Sequence, residues 1–377
     1  MSATLSVAQR LKFQLLAEGI EISPAARKAL REITGQGALT PADYASTTGL
    51  ILELDDNVWV NAPINEHNPN FVSDSRYVLD HGPDGFEVHG AGLTSPAKFW
   101  SPPSYHGRTA SFGQLNNFVV THGDRARLSP VRGCAMTCTF CNIPYDDPLD
   151  VYATKPVDAL LQAAHIAVSD VNQPAHHLLI SGGTPKRPDF EFMQQVYQRV
   201  LIEFPQLAVD IMMVPLPGLF DLPQLDKLGL NEISINIEVF STSHAADLMR
   251  HKHNQGLAFY LDFIAHAADT LGPGRVRSML MVGLEPMEMT LAGVAAIIER
   301  GGIPVLSPFR PDPATPLSDR KPAGAAELEQ TYLRAMDVAA SAGGVLGPDC
   351  PPCTHNTLSF VAPDKAITYR HPRPVMV

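Results

Sequence analysis

"RGCAMTCTFCN", residues Arg132 to Asn142, holds three of the chain's five cysteines. Cys134, Cys138 and Cys141 stand as C-x3-C-x2-C, directly after "RARLSPVRG" (125–133), which reads as a strand. Three thiolates on one short loop can each take a different iron of a four-iron cluster. Such clusters ordinarily use four cysteines, so a fourth iron without protein sulfur is left open for a substrate or cofactor. A structural zinc site fits less well, because it wants four closed ligands, usually from C-x2-C pairs.

Downstream of this loop the pattern is regular. A helix follows from Pro156; then "HHLLISGG" (176–183) reads as a strand and "DFEFMQQVYQRVLIEF" (189–204) as a helix. "LAVDIMMV" leads to "LPQLDKLG", and "EISINIEV" to a helical stretch reaching Ala268. "RVRSMLMVGL" leads to "LAGVAAIIERGG", and "IPVLSPFR" to "GAAELEQTYLRAMDVAASAGG". Six apolar strands alternating with amphipathic helices call for a parallel sheet with right-handed crossovers. A repeat of about 35 residues suits a barrel or partial barrel, with chemistry at the strands' C-terminal ends. An open doubly wound sheet alternates in the same way, but no G-x-G-x-x-G follows the first strand.

Upstream, residues 1 to about 45 read as helical, with Ser6 and Ser23 each placed to cap a helix. From "GLILELDDNVWVNAPI" (49–64) the period changes to two, with Asp55, Asp56 and Asn57 as a turn. Residues 70 to 120 stay strand- and loop-like. The 377 residues carry 28 Lys+Arg against 39 Asp+Glu, a net charge of −11. Nucleic acid and anionic membranes are therefore disfavoured as partners. No run approaches about 18 apolar residues, and the N-terminus lacks a secretory apolar core, so the expected location is cytoplasmic. In that reducing compartment clustered cysteines point to metal or redox chemistry rather than to disulfides.

The cysteine loop, with Phe140 in its aromatic position, resembles the signature of the radical S-adenosylmethionine superfamily, C-x3-C-x-aromatic-C. The resemblance spans roughly residues 125 to 320 and is nearest the biotin-synthase-like branch. It implies an α/β fold: a partial (β/α)6 TIM-type barrel over 123–342, an N-terminal α+β cap region over 1–122, and a C-terminal loop extension over 343–377. It also implies an oxygen-sensitive [4Fe-4S] cluster held by Cys134, Cys138 and Cys141, whose free iron takes S-adenosylmethionine. One-electron reduction, by a flavodoxin- or ferredoxin-type partner, then yields a 5'-deoxyadenosyl radical that abstracts hydrogen from a small organic substrate.

The same resemblance carries over to other strand ends. Ser181, Gly182, Gly183 and Thr184 match the glycine-rich stretch that holds the methionine amino group; alone, Gly-Gly also simply turns a chain. Asn236 and Glu238 match a pair that contacts the adenosyl ribose and methionine, and their spacing puts both on one face of a strand. A salt bridge internal to the barrel is the alternative reading of Glu238. Arg250 resembles the basic residue that pairs with the methionine carboxylate, with His251, Lys252 and His253 competing for that role. Gly283 matches the segment that reads the adenine edge. Arg310, after the sixth strand, is the residue expected to contact a substrate anion, a solvated loop arginine being the alternative.

Cys350 and Cys353, in "GPDCPPCTHNT", leave three readings open: ligands of an auxiliary iron–sulfur cluster, a redox or sulfur-handling pair, or a proline-stiffened structural turn. Two cysteines cannot close a four-ligand site, so His355, a carboxylate, substrate or a partner chain would have to complete it. His176 and His177 read as ordinary residues before a strand. The absence of a D-x-H-x-x-G segment disfavours cobalamin-dependent methyl transfer. Sulfur insertion of the lipoyl- or biotin-forming kind, with the auxiliary cluster consumed, is the second enzymatic reading. An iron–sulfur carrier without turnover is the reading from another class.

Overall fold

The computed structural model describes residues 4–34, 49–65, 74–146 and 151–366. The expected helical content of 35–45, the strand- and loop-like reading of 70–73, and the last part of the C-terminal extension, 367–377, lie outside the described residues. Helix α1 (Val7–Glu18) opens on a reciprocal cap: Ser6 Oγ accepts from the Gln9 N–H, and the Gln9 side chain accepts from the Ser6 N–H. Helix α2 (Pro24–Thr34) opens on Ser23, whose Oγ accepts from the Ala26 N–H at 3.0 Å. Both serines therefore cap as expected.

Six strands form one sheet, the first between the two helices and the others after them: β1 (Glu21–Ile22), β2 (Gly49–Leu54), β3 (Val58–Pro63), β4 (Tyr77–Gly82), β5 (Gly85–Gly90) and β6 (Leu93–Phe99), in the order β1-β4-β5-β6-β2-β3. The β2–β3 hairpin turns through Asp56 and Asn57, both at φ 58°. Asp and Asn visit that left-handed region more cheaply than other side chains.

The second sheet holds β7 (Val119–His122), β8 (Arg125–Leu128), β9 (His177–Ile180), β10 (Ala208–Met212), β11 (Glu232–Ser234), β12 (Val276–Val282) and β13 (Ile303–Pro308). Strands β8 to β13 are parallel and neighbour one another in sequence order, while β7 runs antiparallel on the β8 edge. The crossovers carry α3 (Val157–Val168), α4 (Phe190–Glu203), α5 (Leu222–Lys227), α6 (Leu257–Leu271) and α7 (Met287–Glu299); α8 (Ala325–Ser341) follows β13. An unbroken strand order of this kind winds every helix onto one face. The other face is then covered by the sheet's own curl, which gives a partial (β/α)6 barrel and not an open doubly wound sheet.

The strands expected to be apolar are only half so. One face of each, Ala126 and Leu128 in β8 or Leu178 and Ile180 in β9, is fully buried in the core. The inner face is charged: Arg125 and Arg127, His177, Asp210, Glu232 and Arg277. Arg277 pairs with Asp210 at 3.0 Å and with Glu232. Burial alone would lower its pKa, but Glu232 and Asp210 raise it. Arg277→Lys keeps the charge and loses the forked geometry that spans two carboxylates. The expected cost is about 1.5–3 kcal/mol, read by urea unfolding of the purified chain.

The segment after α8 covers the open edge of the barrel. Gly347 bridges Val305 in parallel, and the Leu358 N–H reaches Leu306 O at 2.8 Å. The N-terminal region fastens this segment from outside: the Asn61 N–H donates to His355 O, and buried Lys12 donates to Thr354 O and Ser359 O, both at 2.8 Å. Among the described residues, no helix is long and apolar enough to cross a membrane.

Candidate functional site

The cysteine loop sits at the C-terminal end of β8 and is tied down from two sides. From the loop after β9, the Thr184 N–H donates to Cys134 Sγ at 3.1 Å, and Thr184 O accepts from the Ala135 N–H at 2.9 Å. From the helix Thr242–Leu248, the Leu248 carbonyl accepts from the Thr139 N–H at 2.9 Å and from Thr139 Oγ1 at 3.2 Å. The Met136 N–H gives Cys134 Sγ a second donor at 3.3 Å. Both donors fix the position of the Cys134 sulfur. Burial pushes the Cys138 and Cys141 thiols up to about 12, so a metal centre must displace their protons as it binds.

The glycines of "ISGGTP" have a packing reason. A Cβ on Gly183 would lie 1.6 Å from Gly133 O and 3.2 Å from Cys134 Cα, so two backbones touch where the cysteine loop begins. Gly182 takes φ +127° against Ser129, which only glycine does without strain. Gly183→Ala is expected to displace the Cys134 end of the loop while the barrel still forms. Iron retention after anaerobic reconstitution should fall by about 10- to 100-fold, as for loss of a partner that orients a metal ligand. Iron content with a near-native circular dichroism spectrum checks this.

All three cysteines open onto one cavity of about 190 Å³, lined also by Phe140, Ser181, Gly182, Thr184, Asn236, Glu238, Arg127 and Lys252. Asn236 Oδ1 accepts from Ser234 Oγ at 2.8 Å and from the Met279 N–H at 3.2 Å, which fixes its amide toward the cavity. Glu238 stands at φ +67°, a conformation that costs a non-glycine residue about 1–3 kcal/mol. Two backbone bonds to β12 hold it there: its N–H donates to Met279 O, and its carbonyl accepts from the Met281 N–H, both at 2.8 Å. Lys252 Nζ reaches Glu238 Oε2 at 2.6 Å and Asn236 O at 3.1 Å. Burial alone would lower the Lys252 pKa, but the Glu238 carboxylate raises it and keeps the ammonium charged.

The remaining expected residues lie elsewhere. Arg250 is exposed at the start of the helix Arg250–Gln255 and does not line the cavity; Lys252, half a turn on, does. Gly283 is against the loop at Ala323, and its carbonyl accepts from Arg320 at 2.9 Å. Arg310 is neither a solvated loop residue nor a cavity residue. It is bonded to Asn61 Oδ1 at 3.1 Å and Asn61 O at 2.7 Å, and burial pulls its pKa down to about 9. It joins the barrel to β3.

Arg127 went unnoticed in the sequence. The alternation R-A-R in β8 was the available signal, since two arginines on one face of a core strand must point into the barrel. Its Nε is buried without a hydrogen-bond partner among the described residues. At the opposite end of the barrel, Cys350 and Cys353 meet Asp124 and His177. His177, the first residue of β9, belongs to this group of four, and His355 is not among them.

No protein-family model matches the chain, and no curated protein matches it. Among solved structures it is similar to a radical SAM methyltransferase from Sphaerobacter thermophilus, at 11% identity and a TM-score of 0.45 over 73% of this chain and 77% of that one. It is similar to HydG, a maturase of the FeFe-hydrogenase, at 12% identity and a TM-score of 0.47 over 59% of this chain and 52% of that one. HydG from Carboxydothermus hydrogenoformans gives 13% identity and a TM-score of 0.45 over 60% and 54%. The chain thus spans about half the length of the two maturases.

Proposed function

We propose that this chain is a radical S-adenosylmethionine enzyme acting on a small organic substrate. The observation that carries the reading is the convergence of three thiols from one loop with Asn236, Glu238 and Lys252 on a single cavity at the C-terminal mouth of the barrel. The donor set fits the group: three sulfurs from one loop, two of them half-buried, open onto a cavity that also carries an amide, a carboxylate and an ammonium. When bound, a [4Fe-4S] cluster supplies the electron that cleaves S-adenosylmethionine into methionine and a 5'-deoxyadenosyl radical.

Cys134, Cys138 and Cys141 hold the cluster, and the Thr184 N–H orients Cys134. Phe140, Met136 and Met279 supply the apolar wall that keeps water from the reacting carbon. Asn236 and Glu238 bind the ribose hydroxyls, for which a carboxylate and an amide fixed just beyond the end of β11 are suitable partners. Lys252, rather than Arg250, is the cation at the methionine end. Arg127, rather than Arg310, is the cation offered to an anionic group of the substrate. The electron comes from a flavodoxin- or ferredoxin-type donor.

The sulfur-inserting alternative needs its sacrificial sulfur next to the substrate. Cys350 and Cys353 instead lie by His177, the first residue of β9, one strand length below the cavity, roughly 13 Å at four residues. That placement speaks against the alternative.

The test is anaerobic reconstitution with iron and sulfide, reduction, and incubation with S-adenosylmethionine. The expected product is 5'-deoxyadenosine. A chain that carries its full complement of iron and releases none is a carrier, and the enzymatic reading falls.

A further inference from the structure

At the foot of the barrel, Asp124, His177, Cys350 and Cys353 each offer one donor atom, and the four atoms lie within 4.8 Å of one another. Asp124 stands immediately before β8, His177 opens β9, and the cysteines come from the loop after α8. Sheet register brings the first two together, because Arg125 pairs with His177 across β8 and β9. Cys353 Sγ is 3.9 Å from His177 Nε2.

Asp124 is the telling residue. It is fully buried, and neither carboxylate oxygen has a hydrogen-bond partner among the described residues. A carboxylate in that position, beside two thiols and an imidazole, lacks a cation. We propose that these four side chains form a closed, mononuclear zinc site.

The donor chemistry and the spacing both favour a single ion. Zinc takes sulfur, imidazole nitrogen and carboxylate oxygen at about 2.0–2.3 Å in tetrahedral geometry, which sets donors roughly 3.3–3.8 Å apart. A second iron–sulfur cluster spreads its ligands over different irons, with metal and sulfide between them, and needs wider spacing than this group has. Two thiolates, one carboxylate and a neutral imidazole leave one net negative charge around Zn²⁺. Arg125 and Arg277 lie close enough to couple electrostatically to Cys353 and offset it.

Because every coordination position is filled by protein, the site is structural. It fastens the 347–358 segment, which covers the open edge at β13, to the first two barrel strands. The region's other fastenings include Leu358 N–H to Leu306 O, Asn61 N–H to His355 O, and the Lys12 ammonium to Thr354 O.

The full-length chain, purified and reconstituted anaerobically with iron, sulfide and zinc, should contain about one zinc beside the roughly four irons of one cluster. Replacing Cys134, Cys138 and Cys141 together by alanine should remove the iron and leave the zinc, so this site stands or falls separately from the proposed reaction. The C350S/C353S variant should lose the zinc and keep the iron. If that variant does not fold, cobalt(II) loaded into the unaltered chain gives the answer. Tetrahedral ligand-field bands with thiolate-to-cobalt charge transfer are expected, and Asp124→Asn should weaken cobalt affinity at least tenfold. Absence of zinc and of those cobalt bands overturns the proposal. So does a second set of irons lost on replacing Cys350 and Cys353, or a disulfide between those two residues in the metal-loaded protein.

Discussion

Cys138→Ala is expected to strip iron from the chain and to drop 5'-deoxyadenosine release to background. Cys138 is the most buried of the three loop thiols, at 8% exposure, and it lies between the cavity and the helix that anchors Thr139. Two remaining thiols cannot hold a cube that needs one ligand on each of three irons. The loss should exceed the roughly 10- to 100-fold that follows from removing a partner that merely orients a ligand, and so be larger than for Gly183→Ala. Iron and sulfide content, the visible absorbance of the reconstituted protein and the product assay report it together. A variant that retains about four irons per chain and normal product release would remove this loop from the site.

Lys252→Met should be the most costly change that spares the cysteines. Lys252 and Glu238 side chains are 7% and 15% exposed, and their contact is 2.6 Å. Removing the cation leaves a carboxylate in a largely buried position with no counter-charge, which costs about 3–5 kcal/mol. Denaturant unfolding of the apoprotein measures that cost. The informative partner is E238Q/K252M, in which both charges are gone and most of the stability should return. Release of 5'-deoxyadenosine should not return with it, because the carboxylate proposed for the ribose and the cation proposed for the methionine end are both lost. If the double variant regains turnover along with stability, Glu238 and Lys252 are an internal salt bridge of the barrel and no more. The strained backbone of Glu238 argues for the functional outcome, since a structural ion pair has no need of a carboxylate held at φ +67°.

Much of the site was legible because its key residues are local. Three cysteines within one short loop suggest a shared metal from local spacing alone; the two-residue spacing of Asn236 and Glu238 suggested one face of a strand, but the strand ends at Ser234 and both reach the cavity from the segment beyond it. Ser181 to Thr184 were legible as a turn after a strand; that Gly183 is glycine because Gly133 O lies where a Cβ would go was not. The sequence also pointed to a basic residue after the fourth barrel strand and put Arg250 first, whereas Lys252 is the one that lines the cavity. Arg250 and Lys252 are close in sequence yet point differently from the same short helix, and only Lys252 turns back to Asn236 and Glu238. Arg310 was misplaced for a related reason. A loop arginine looks solvated until a second sheet, here through Asn61, is laid over it.

From its one-dimensional pattern alone, then, this protein declared a parallel α/β architecture and a three-thiol loop at the head of it, because strand–helix alternation and short-range ligand spacing are properties of neighbouring residues. Which cation enters the cavity, what the inner barrel face carries, and the meeting of Asp124 and His177 with Cys350 and Cys353 were decided by tertiary structure. Those contacts depend on strand register and on the course of a returning C-terminal segment. No residue's immediate neighbours encode either of these.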